Sequence, residues 1–225
     1  MELKEKLVSS FIAFENQISL DNTFVHDIRT EAIKRFESKG FPARKDEAWK
    51  YTSLKKVLKK DFSVFAKTES TIEYKDVQPY FIHDIDSYKI VFVDGKYASH
   101  LSETTHEGID ICLMSAALSK PKYQVVIENY FNKIAEKDSL TSLNTAFSNE
   151  GAYIHITKNK LVEKPIQIIH FSTGNEAALL LQPRNLIVVD ENAHVQIIER
   201  HQSLTDNPSL TNSVTEIFAA NRGIV

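Results

Sequence analysis

The sequence predicts an α+β protein: a mostly helical region over residues 1–150 with a small β unit, then, over residues 151–225, the start of a right-handed parallel β-helix. Three observations carry this expectation. Apolar residues recur at helical spacing near the N-terminus. The pattern changes to strand and turn signals from Ile82 to about Leu118. After Gly151, short strand-like segments recur roughly every 8 to 13 residues, with one wider gap before Ser213 and no helical stretch between them.

Taken in order, Leu3, Leu7, Phe11 and Phe14 form one stripe, which Val8 and Ile12 widen. A second stripe comprises Val25, Ile28, Ala32, Ile33 and Phe36, with Asp21, Asn22 and Thr23 as candidate caps. Gly40 and Pro42 stop that helix, since glycine favours the position past a helix end and proline cannot continue one. Charged residues then surround Trp49 and Tyr51, two rings that bury large areas when they pack, so this stretch reads as an anchor for the helical unit. From Thr52 to Lys60, Leu54, Val57 and Leu58 mark one face of a short helix capped by Thr52 or Ser53, with Lys55, Lys56, Lys59 and Lys60 elsewhere on the turn.

Tyr88 to Val93 is strand-like, and Asp94-Gly95 turns it back into Lys96-Tyr97. Ile109 to Leu113 reads as another strand. Helical spacing returns at Val125, Ile127, Tyr130, Phe131 and Ile134, and again at Leu140, Leu143, Ala146 and Phe147. Past Gly151, Tyr153–Ile156 and Ile166–Ile169 alternate, whereas Ala178–Leu181 does not, which suggests a strand buried on both sides. Leu186–Val189 and Val195–Ile198 follow, joined by a turn at Asp190–Ala193, and Ser213–Phe218 closes the series. Such spacing suits a sandwich, a barrel or a solenoid. Short strands with little polar alternation and no intervening helix favour the β-helix. The final stretch from Ala219 to Val225 has neither a helix nor a charged cap, so the chain is expected to stop inside its fold, as a piece of a longer protein that self-associates through this open edge.

The 225 residues suffice for one large domain or two small ones, and 42% apolar with 25% charged residues is an ordinary globular balance. A net charge of −3 gives no electrostatic reason to expect nucleic-acid binding. Cys112 is the single cysteine, which excludes an intrachain disulfide and a cysteine-built metal cage. The N-terminus has no apolar signal core, and no apolar run reaches membrane-spanning length, so a soluble cytoplasmic protein is expected.

The search for chemistry yields few candidates. The eight histidines are His26, His83, His100, His106, His155, His170, His194 and His201, and none forms a helical HxxxH pair. Stacked strands could bring His155, His170, His194 or His201 together as a metal site; the plainer reading is separate surface histidines, with His155 and His194 pointing outward. Cys112 sits between Ile111 and Leu113 and reads as a structural thiol. Asp190, Glu191 and Glu199 could serve a polysaccharide-cleaving β-helix, but their spacing is also that of an ordinary turn and strand edge. Lys55 to Lys60 with Trp49 and Tyr51 could contact nucleic acid, although Asp46, Glu47 and Asp61 break the patch and a solvated face fits better. No GxxxxGK loop occurs.

The stretch Phe41-Pro-Ala-Arg-Lys-Asp-Glu-Ala-Trp-Lys-Tyr-Thr-Ser-Leu54 closely resembles a motif near the start of SufD-type members of the SufB/SufD family of iron–sulfur cluster assembly proteins. Further segments resemble the family in the same order: Val91 to Gly95 with Leu101-Ser102, Leu143 to Phe147 with Gly151 and Ile154 to Ile156, then Pro165 to Ile168, Pro183 to Val188, and Thr211-Asn212 with Thr215 to Ile217. The resemblance runs from about residue 35 to 218 and corresponds to roughly the N-terminal half of a family member. It implies a right-handed parallel β-helix and a non-catalytic scaffold subunit that pairs with the paralogue SufB and binds the ATPase SufC. It further implies a nascent iron–sulfur cluster built transiently near the SufB–SufD interface from sulfur delivered by a cysteine desulfurase system. The family's SufC-docking region and cluster-building histidine lie in the other half, so no catalytic, cofactor or metal residue is carried over, and no cofactor is expected in this chain. SufB itself is the near alternative within the family. Outside it, the alternatives are a carbohydrate-active or carbohydrate-binding β-helix and a nucleic-acid module built on Lys55 to Lys60.

Overall fold

A computed structural model describes residues 2–18, 22–63, 72–82, 84–135, 137–175 and 178–225, with the side chains of 105 and 106 outside that description. Two antiparallel-compatible stripes become helices α1 (Leu3–Ile18) and α2 (Thr23–Lys39). Leu3, Leu7, Phe11 and Phe14 are the buried positions of α1, as their spacing predicts. Ile12 is instead 70% exposed, because the stripe needed by a single packing partner is narrower than the apolar pattern. Asn22 caps α2 by accepting from the Val25 amide at 3.3 Å, and Gly40 ends it with φ +68°. Asp21 lies outside the described residues.

The Trp49 stretch does not anchor the helices through its two large rings. Trp49 is half-buried in a single 3-10 turn, and Tyr51 is 90% exposed. Phe41 does that work, packing edge-on to Phe36 at 5.1 Å, together with Val57 and Leu58. Residues 55–59 form turns rather than the expected short helix, with a lone helical hydrogen bond from the Leu58 amide to the Leu54 carbonyl.

Beyond it come α3 (Tyr74–Val77), β1 (Tyr88–Val93), β2 (Lys96–Tyr97), β3 (Thr105–His106), β4 (Ile109–Leu113), α4 (Met114–Ser119), α5 (Gln124–Tyr130) and α6 (Ser139–Ala146). Asp94 and Gly95, at φ +49° and +80°, make the tight β1–β2 turn that the Asp-Gly pair predicts. Helix α5 is shorter than its apolar pattern: Val125 and Ile134 are exposed, and Ile134 falls beyond its end. The Asp138 carboxylate caps α6 by accepting from the Leu140 and Thr141 amides. After Gly151 the described chain is all strand and turn: β5 (Ala152–Ile156), β6 (Ile166–Ser172), β7 (Leu179–Leu181), β8 (Arg184–Val189), β9 (Ile197–Ser203), β10 (Ser209–Thr211) and β11 (Val214–Ala219).

The expectation of a right-handed parallel β-helix is corrected by the sheet topology. Among the described residues the strands form three separate sheets, ordered β2-β1-β6-β9, β11-β8-β5-β4-β3 and β10-β7, that neither close nor curl. The two larger sheets are mixed, because β2, β3 and β4 join antiparallel while β1, β5, β6, β8, β9 and β11 pair in parallel. The architecture is therefore α+β with N-terminal helices. Strand length and spacing predicted most of the strands but missed β3 and β10, and they carried no information on partners. Strands from before residue 151 supply edges and centres of the same sheets as those after it. The carbohydrate-active alternative rested on the β-helix and loses that support.

The central strands of both larger sheets are covered on both faces, whereas the edge strands β9 and β11 are partly exposed. Between them lies a core of Ile90, Phe92, Ile154, Ile166, Ile168, Ile187 and neighbours. Outside β5 and β8, Tyr153, Leu186 and Val188 meet α4 and α5; outside β1 and β6, Val91, Ile169 and Phe171 meet Val77, Phe81 and Leu101. Double coverage explains why every residue of β6 and β8 is buried, including β6, whose sequence alternates. Helices α1, α2 and α6 pack as a third layer over Phe62, Ala178 and Leu180.

Candidate functional site

The parallel register of the β1-β6-β9 sheet builds a ladder of rings. Phe92 lies opposite His170, and His170 opposite His201. All three side chains project toward the facing sheet, following Ile90, Ile168 and Glu199 in the row before. The His170 ring stacks on Phe92 at 4.8 Å and on His201 at 4.6 Å, with interplanar angles of 11° and 6°. Glu199, two residues before His201 and so on the same strand face, places its carboxylate 3.1 Å from His201 Nε2 and 4.0 Å from His170 Nε2. The facing sheet holds that carboxylate in place: Asn185 Nδ2 and Ser213 Oγ donate to Oε1, and Thr215 Oγ1 donates to Oε2 at 2.7 Å.

Electrostatics divides these groups. Burial, reinforced by the His201 ring, pushes His170 well below the usual imidazole range and keeps it neutral. Burial alone would raise the Glu199 carboxyl, but hydrogen bonds from His201 and Thr215 and the neighbouring imidazoles outweigh it and bring the pKa down. The result is a fixed carboxylate beside one buried neutral imidazole and one exposed imidazole.

Phe92 and His170 also border a cavity of about 170 Å³ beneath α1, lined further by Asp94, Lys96, Asn149 and Glu150. Burial raises the Glu150 carboxyl to about 7, against the opposing pull of the Asn149 amide and Lys96. Since the folded pKa lies above the ordinary value of 4.5, the folded state binds the proton more tightly. Stability contributed by protonated Glu150 is thus present below about pH 4.5 and is lost as pH rises through about 7, a change on the order of 3 kcal/mol. Glu150→Gln should be more stable than the parent at about pH 8 and should flatten this slope. Urea midpoints of both proteins near pH 5 and pH 8 measure it; parallel profiles would count against a buried Glu150.

The remaining candidates are dispersed. His155 Nε2 sits 3.0 Å from Asp190, while Glu191 pairs with Lys158 at 2.6 Å, so Asp190 and Glu191 serve separate surface pairs and not one acid–base pair with Glu199. His194 takes part in backbone bridges to Leu161 and Ile224, His100 binds the Ile72 carbonyl, and His26 pairs with Glu15. His83 and the His106 side chain lie outside the described residues. Cys112 is half-buried, and burial pushes its thiol up, the opposite of activation. Lys55, Lys56, Lys59 and Lys60 are exposed, as a solvated face requires. The reading of His170 and His201 as separate surface histidines is corrected: the strand register stacks them. The signal available was His170 two and four residues after Ile168 and Ile166, on one face of a strand.

Comparison with known proteins places the chain. Residues 1–168 match the SufBD protein N-terminal region, and residues 170–225 match the SufBD core domain of the SUF system for FeS cluster assembly. The chain belongs to the SufB/SufD family. The junction between the family's two regions falls within β6, one residue before His170. Among SufB/SufD relatives, the chain is 25% identical over 186 residues to an iron–sulfur cluster assembly SufBD family protein of Synechocystis, covering 79% of this chain and 41% of that protein. It is 24% identical over 177 residues to the iron–sulfur cluster assembly protein SufD of Escherichia coli, covering 77% and 38%. With SufD of Bacillus subtilis the identity is 31% over 105 residues, covering 44% and 23%. The chain thus spans less than half the length of the curated relatives it matches. Iron–sulfur cluster assembly is the role named for the family's core domain and for these relatives. Among the described residues, no helix is long and apolar enough to cross a membrane.

Proposed function

We propose that this chain acts in the cytoplasm as part of a SufD-type scaffold subunit. It would have no catalysis of its own, pair with a SufB-like paralogue and bind a SufC-like ATPase. The observation that carries this reading is the consecutive match of both family regions across nearly the whole chain. The fold is compatible with it. Strands β9, β10 and β11 each lie at a sheet edge, where unpaired backbone groups accept strand addition. The half-buried, unactivated Cys112 cannot hold a cluster that needs several thiolates, so iron and sulfur would be handled as cargo by the assembled complex.

An anaerobic pull-down with the tagged full-length gene product from its native host tests the assignment. SufB-like and SufC-like proteins are expected in the eluate at near-stoichiometric amounts. Their absence under gentle conditions, with the bait folded and abundant, would overturn the scaffold reading.

A further inference from the structure

We propose that His170, Glu199 and His201 form a binding site for one divalent first-row transition-metal ion, of the Fe(II) or Zn(II) class. The strand register converges three ligand groups: one donor atom from each lies within 4.8 Å of the other two. Two imidazoles and one carboxylate are a donor set of intermediate softness that suits these ions and leaves coordination positions open.

Two observations separate this cluster from a chance grouping. First, His170 is only 5% exposed, yet its Nε2 has no hydrogen-bond partner. Buried polar atoms are nearly always satisfied, and this one faces the Glu199 carboxylate across 4.0 Å. An ion between them supplies the missing partner. Second, the carboxylate is oriented from the opposite sheet by Asn185, Ser213 and Thr215, and Asn185 is itself fixed by accepting from the Ala152 amide at 2.8 Å. Hydrogen-bonded outer partners of this kind orient metal-binding carboxylates and contribute to affinity.

The geometry closes with two small adjustments. Metal–nitrogen and metal–oxygen distances of about 2.0–2.2 Å set neighbouring ligand atoms roughly 3 Å apart. His201 Nε2 and Glu199 Oε1 already stand at 3.1 Å. The exposed His201 ring turns out of its stack and shortens the span to His170, and the 4.0 Å between His170 Nε2 and the Glu199 carboxylate closes by about 1 Å, with the His170 ring kept against Phe92. The site is read from these side chains and does not depend on the scaffold proposal.

Anaerobic titration of the tag-free chain with Co(II), and with Zn(II) in competition with a chromophoric chelator, tests it without any partner protein. One equivalent should bind, with cobalt d–d absorbance. His201→Asn and Glu199→Gln should each weaken binding at least tenfold, Thr215→Val about tenfold, and His194→Asn not at all. Because His170 is buried and its replacement could unfold the chain, the exposed His201 is the deciding position, with near-UV circular dichroism confirming its fold. Failure of the parent to bind an equivalent, or equal binding by His201→Asn, overturns the site and leaves a hydrogen-bonded ladder only.

Discussion

Glu216→Ala is expected to destabilise the fold by about 3–5 kcal/mol, the cost of leaving a buried charge without its partner. Glu216 is 1% exposed and pairs with Arg184, which is fully buried. The guanidinium also donates to Asn144 Oδ1 and Thr145 Oγ1 and lies over the Phe131 ring at 5.0 Å. Burial pulls the Arg184 pKa down, with Glu216 opposing it, so the carboxylate keeps the charge tolerable inside the protein. Glu216 has a second duty. Its oxygens accept from the Asn132, Ile134 and Ala135 amides, tying the segment after α5 to β11. Truncation therefore strands a cation and orphans three backbone donors at once. A fall in the urea midpoint at unchanged slope would record this. Replacing Arg184 and Glu216 together by apolar residues of similar volume should recover much of the loss, because the desolvation cost then disappears from both sides. A midpoint for Glu216→Ala within experimental error of the parent would show that water reaches the pair.

Gly151→Ala should be as damaging for a different reason. Gly151 stands at φ +137°, a conformation that side chains oppose, and an added Cβ would lie 2.1 Å from the Arg184 carbonyl oxygen and 2.6 Å from its carbon. Both are backbone atoms of a central strand. Relief would require pulling β8 away from the segment leading into β5, including the hydrogen bond from the Arg184 amide to the Glu150 carbonyl at 2.8 Å. The cost should exceed about 4 kcal/mol and leave little folded protein. Gly40→Ala is the matched control: φ is also positive, but the new Cβ meets only the flexible Lys4 side chain at 3.4 Å. It should cost about 1–2 kcal/mol. Near-UV circular dichroism and thermal unfolding of the two variants compare them. A native spectrum for Gly151→Ala with a parental midpoint would show that the β5–β8 junction yields.

The stripes of α1 and α2 and the Asp94-Gly95 turn translated into structure because they are local, whereas the shorter stripes at 52–60 and 125–134 did so only in part. Leu3, Leu7, Phe11 and Phe14 share a face by covalent geometry alone, and Asp94-Gly95 turns the chain wherever it stands. Arg29 shows the limit: on the same helix as Val25 and Phe36, it is buried and donates to the Ser148 carbonyl and to Glu15, partners too far along the chain for helical spacing to announce. Arg184 and Glu216 likewise read as ordinary strand residues until the fold sets them together.

The sequence by itself determined the family, through an ordered set of short motifs, and the positions of most helices and strands, through periodicities that depend only on neighbours. The tertiary structure alone decided the sheets and the candidate site. Strand pairing is made by backbone groups that every residue carries, so partner and register are written in no single segment. That is why three open sheets, two of them mixed, replaced the expected β-helix, and why His170 met His201 and Glu199 only once β6 and β9 had aligned.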